Sequence, residues 1–158
     1  MEVIAPDMAQ DLKGNLGSQL TTLPGPVLYT FAVSCPDIDA TQSRLEAIGM
    51  QMPPPITMSR ELASGQELVW RVARIGGHSF GPLIPFLIDW GNSPHPSESL
   101  PSECKLEDFW ISHSNSMELN NVMQAIGVSI ECREGAAALH ATLRTPAGLI
   151  SLASGSPS

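Results

Sequence analysis

The chain has 158 residues, 42% of them hydrophobic, and carries a formal net charge of −8 from 16 acidic against 8 basic residues. That length and apolar share are enough for one substantial core and exclude wholesale disorder, and no apolar run approaches the roughly 20 residues that span a bilayer. The acid excess, with no Lys/Arg cluster to offset it, argues against nucleic acid as a partner. Met1–Lys13 lacks a basic region followed by a long apolar core, so no secretory signal is expected. Cys35, Cys104 and Cys132 are scattered without CxxC spacing, as expected of reduced thiols in a cytoplasmic protein rather than of a disulfide framework.

The first predicted element is a strand over Val27–Val33, rich in aromatic and β-branched residues. Cys35-Pro36-Asp37 breaks it, and a helix follows with Ile38, Thr41, Leu45 and Ile48 on one face. Asp37 is its expected N-cap and Gly49 its expected left-handed terminator. Pro53-Pro54-Pro55 prevents that helix from continuing. Strands are then expected at Thr57–Ser59, Glu67–Arg74 and Ile84–Trp90, before a Pro- and Ser-rich linker over 92–104. A second strand over Leu106–Ser112 leads through His113-Ser114-Asn115 to a helix with Leu119, Met123 and Ile126 on one face. Here Asn115 and Glu118 have the spacing of a capping box, and Gly127 is the terminator. Strands at Ser129–Arg133, Leu139–Thr145 and Leu149–Ala153 complete the order, the last two joined through Pro146-Ala147-Gly148.

These elements repeat. Aligning Leu28–Met50 with Leu106–Val128, an offset of 78, makes five positions identical: Phe31/Phe109, Ser34/Ser112, Ala47/Ala125, Ile48/Ile126 and Gly49/Gly127. The reading is α+β: two tandem βαβββ units, 27–91 and 105–153, forming curved, mostly antiparallel sheets around a cleft with helices on the convex side.

Two tandem βαβββ units resemble the vicinal-oxygen-chelate superfamily, which includes glyoxalase I, extradiol dioxygenases and bleomycin-resistance proteins. Val33-Ser34-Cys35-Pro36-Asp37-Ile38-Asp39 is similar to its strand-to-helix junction. Glu67-Leu68-Val69-Trp70-Arg71-Val72-Ala73, Ile84-Pro85-Phe86-Leu87-Ile88-Asp89-Trp90-Gly91 and Pro94-His95-Pro96 resemble the glyoxalase-like domain subgroup. In that light Met1–Asp7 resembles the closing strand of a preceding unit, with 8–26 as linker and 154–158 as a tail. The chain then reads as a fragment of a longer protein, or the strand pairs elsewhere; an orphan strand adding to a sheet edge, in its own chain or a partner's, favours a homodimer.

The resemblance implies a small-molecule ligand in the cleft and, in active members, a divalent metal held by His, Gln, Glu or Tyr from the first and last strands. Val27–Val33 offers no His, Gln or Glu, and Thr30 and Phe31 stand where ligands are expected. No cofactor is therefore expected, and Glu107 and Asp108 are the residual metal candidates, with Glu2 stranded in an absent unit. The ligand-binding candidates are Trp70, Arg71, Asp89 and Trp90, with His78 and His95 as loop residues able to move protons near neutral pH. Alternation puts Trp70 and Val72 on one face and Arg71 on the other. An inward Arg71/Asp89 face offers a fixed cation and anion, whereas inward tryptophans make an aromatic slot. The bland alternative is tryptophans packed under the helix and Arg71–Asp89 as a structural pair. Two further readings stand beside ligand binding. One is a metal-dependent lyase, isomerase or dioxygenase using Glu107, Asp108, Asp89 or His78; the other is an inactive fragment that serves as a dimerisation module.

Overall fold

The computed structural model describes residues 4–23, 25–62, 64–99 and 103–154. Chain order is α1 (Leu16–Leu20), β1 (Ala32–Ser34), α2 (Ile38–Ala47), β2 (Ile56–Glu61), β3 (Glu67–Ala73), β4 (Phe86–Asp89), β5 (Lys105–Ser112), α3 (Ser116–Ile126), β6 (Glu131–Arg133), β7 (Ala138–Thr145) and β8 (Gly148–Ala153). The architecture is α+β, with two open four-stranded sheets that do not close into barrels. No helix among the described residues is long and apolar enough to cross a membrane.

Local chemistry sets both long helices as expected. Asp37 Oδ1 accepts from Ala40 N at 2.9 Å, and Asn115 Oδ1 from Glu118 N at 3.4 Å, each satisfying an N–H that the helix cannot. The Glu118 carboxylate returns to the Asn115 side-chain amide rather than to its backbone. At the other ends, Gly49 (φ 82°) and Gly127 (φ 90°) turn left-handed, a conformation that penalises any side chain. Met50 N then reaches Leu45 O, and Val128 N reaches Met123 O, both at 3.0 Å. These four residues pair up at the repeat offset, so the same bond closes both helices. Ile48 departs from expectation: it caps α2 and is 42% exposed, leaving Ile38, Thr41 and Leu45 as the buried stripe.

The copies diverge after the helix. The first sheet has the order β1-β4-β3-β2 and the second β6-β5-β7-β8. In both, one parallel pair is followed by two antiparallel ones, but in the first the parallel neighbour of the opening strand is the last strand, β4, and in the second it is β6. Connection length explains this. Val128–Ile130 is long enough to bring β6 only to the nearest vacancy, beside β5. The stiff run through Pro53–Pro55 carries the chain to the far edge.

At the front, β1 is shorter than expected. Val27–Val33 yields only Ala32–Ser34, because the preceding residues find single contacts, such as Leu28 N to Ala153 O, rather than a ladder. Ile4–Asp7 forms no strand, which corrects that part of the closing-strand expectation; Met1–Val3 lie outside the described residues. The segment read as linker holds the short helix α1, capped by Asn15.

One core joins the units, running from Cys35, Ile38 and Leu45 through Leu87 to Ile111, Leu119 and Leu139. Phe31 and Phe109, equivalent in the repeat, touch each other with ring centroids 4.9 Å apart. Arg44 in the last turn of α2 donates from Nε to Ala125 O in the last turn of α3 at 2.8 Å, placing a cation where carbonyls are unsatisfied. Arg44→Ala is expected to lower the urea midpoint by about 1 kcal/mol of stability with an unchanged slope, the side chain being exposed and the bond partly solvated.

Candidate functional site

In the first sheet α2 covers one face only. Ala73 and Leu87, cross-strand partners, share the core with Ile38 and Leu45 of α2. Arg71 and Asp89 pair in the same register and lie on this helix-covered face, where Arg71 also reaches Asp39 in the first turn of α2. Alternation sends Trp70, Val72 and Ile88 to the opposite, helix-free face.

This arrangement divides the candidates. Trp70 and Trp90 meet on the helix-free face with centroids 5.4 Å apart, and the His95 ring lies edge-on to Trp90 at 5.2 Å. The loop that carries His95 is anchored by Ser93, whose hydroxyl accepts from Val69 N and donates to Val69 O. Arg71 and Asp89 do not join them. Arg71 stands between Asp39 at 3.4 Å and Asp89 at 3.7 Å, and Asp89 also accepts from Gly91 N. An open groove of about 540 Å³ beside them is lined by Thr57, Glu67, Val69, Trp70, Arg71 and Asp89. Trp70, Arg71 and Asp89 thus share one groove, while the Trp70–Trp90 contact lies on the other side of the sheet from the Arg71–Asp89 pair.

His78 is also removed from the tryptophans. Its Nδ1 accepts from Phe80 N and its Nε2 donates to Ile75 O, so both ring nitrogens hold a turn together. His113 similarly accepts from Asn115 N at the start of α3.

Glu107 sits at a β-bulge between β5 and β7, ion-paired with Arg144 at 2.8 Å and Lys105 at 3.9 Å. The Arg144 hydrogen bond holds its carboxyl below the usual range. Asp108 is the register partner of Thr142, which shares a face of β7 with Arg144. Among the described residues no three His, Cys, Asp or Glu side chains converge as a metal would require, and Glu2 lies outside them. The described residues therefore do not fit the divalent centre that the resemblance implies.

Two groups escaped the sequence reading. On the second sheet Trp110 of β5 is flanked by Arg133 of β6, 4.1 Å over its ring, and by His140 of β7, stacked at 3.6 Å and 6°. Ser112 Oγ lies 3.0 Å from His140 Nε2 but donates to Ala136 O at 2.5 Å, so the imidazole N–H donates to the hydroxyl. That is the reverse of nucleophile activation. On the first sheet the missed residues are Arg60 and Arg74. Arg60 faces Leu68 in the register that puts Met58 opposite Trp70, and Arg74 lies 5.5 Å over Phe86. Alternation within Ile56–Glu61 was the available signal for Arg60.

No curated protein matches the chain. A structure described as a hypothetical protein from Staphylococcus aureus is similar in fold, with 15% identity and a TM-score of 0.51 over 79% of this chain. The chain spans about half of that one, 51%. The family model for the glyoxalase-like domain matches residues 1–127, and the chain belongs to that family, within the vicinal-oxygen-chelate superfamily.

Proposed function

We propose that the chain binds a small molecule on the helix-free face of its first sheet, with Trp70 and Trp90 as the floor of the site. The observation that carries this reading is the contact between the two rings on the face of the sheet opposite α2. Both rings stay partly exposed, so their apolar area is available to a ligand. Such paired aromatics give a flat molecule much contact at little entropic cost. His95, whose Nδ1 is engaged by Ser97, fixes the edge of Trp90.

A screen of small planar compounds against the full chain, read through the indole N–H signals in ¹H–¹⁵N spectra, tests this. Hits should move the Trp70 and Trp90 signals together, and Trp70→Ala should weaken them at least about tenfold, or roughly 1.4 kcal/mol. Hits that move only the Arg71 groove, or none that reach either indole, would sink the reading.

A further inference from the structure

Resting on that reading, we infer that the ligand of the helix-free face is an apolar organic anion, a carboxylate on a flat or aliphatic body, selected by Arg60 and Arg74. The chain is acidic overall, at −8, yet this face is not. Alternation sends every carboxylate of the sheet to the other side: Glu61 and Glu67 oppose each other across β2 and β3, and Asp89 pairs with Arg71. The helix-free face holds Ile56, Met58, Trp70, Val72, Ile88 and Trp90, with no acidic residue in its strands. Ile56 is 67% exposed and Met58 46%.

Its two charges are both positive and uncommitted. Arg71, Lys105, Arg133 and Arg144 each have a carboxylate partner, whereas Arg60 and Arg74 make no ion pair or hydrogen bond among the described residues. Arg74 has only the Phe86 ring beneath it. Glu98, the first acid after Trp90, is turned to the backbone N–H of His95. Arg60 sits one same-face step from Met58, beside the tryptophan row, and Arg74 closes the face about 20 Å along the strand. A ligand lying on Trp70 and Trp90 therefore meets a guanidinium at its end and no acid from the strands beneath it. Arginine reads a carboxylate bidentately, and its interaction strengthens beside apolar surface.

Three probes of equal shape test the charge preference on the full chain: 2-naphthoate, 2-naphthalenemethanol and 2-naphthylmethylammonium. Naphthoate should shift the Trp70 and Trp90 indole signals at a concentration at least about tenfold below the alcohol, with the ammonium weakest. Arg60→Gln/Arg74→Gln should bring naphthoate within about threefold of the alcohol while alcohol binding persists. That persistence shows that the exposed substitutions leave the fold intact. Equal binding of all three, or preference for the ammonium, overturns the anion assignment but leaves the aromatic site standing. Failure of every probe at both indoles overturns both. Indole shifts that instead follow protein concentration, with a dimer in sedimentation, would assign the face to a second copy and also overturn the inference.

Discussion

Leu45→Ala is expected to cost about 3 kcal/mol of stability, and Met123→Ala a similar amount, because each empties a fully enclosed site. Leu45 is 0% exposed and Met123 1%, and they occupy equivalent positions on α2 and α3, which pack together. For a chain of this size each loss should lower the melting temperature by roughly 6–12 °C. The more telling result is the shape of the transition. A core shared by both units predicts one cooperative step in each variant. A Leu45→Ala protein that melts in two steps, with the second at the parental temperature, would show that the units are independent.

The second large effect is on acid stability. Burial first, and then the Arg133 cation, push the His140 imidazole below its ordinary range. The unfolded chain therefore binds a proton at a higher pH than the folded one does. The contribution of neutral His140 is complete above the unfolded value of about 6.5 and shrinks as pH falls from there toward the folded value. Urea midpoints should accordingly drop as pH falls below about 6.5, and His140→Gln should flatten part of that drop. Arg133→Gln should move the imidazole titration, followed by NMR, back up. Trp110, stacked on the ring at 3.6 Å, should report the same event in its fluorescence. An imidazole that titrates at or above the free value would contradict this account.

What the sequence made legible was local. Asp37, Asn115, Gly49 and Gly127 act on their own backbone within a few residues, so their roles can be read without knowing any distant partner. Trp70, Arg71, Asp89 and Trp90 were legible as candidates on alternate faces, and the contact of Arg71 with Asp39 shows which of those faces lies toward α2. What stayed hidden needed register. The Arg133–Trp110–His140 stack draws on three strands whose order, β6-β5-β7, does not follow from spacing. The bulge at Glu107 further shifts which side of β5 faces the helix. Arg60 and Arg74 were passed over for a different reason. A cation becomes informative only when its neighbours prove to lack acids, and that is a property of a surface rather than of a motif.

The contact of Phe31 with Phe109 has one more consequence. Two equivalent surfaces that fit each other are self-complementary, and such a pair does not distinguish a partner in its own chain from one in a neighbour. What keeps the match internal is the tether between the units, which holds the second ring at a high effective concentration near the first. Shortening segment 92–104 below the distance it must span is expected to hand the same pairing to an adjacent molecule, which sedimentation would show as an increase in assembly size.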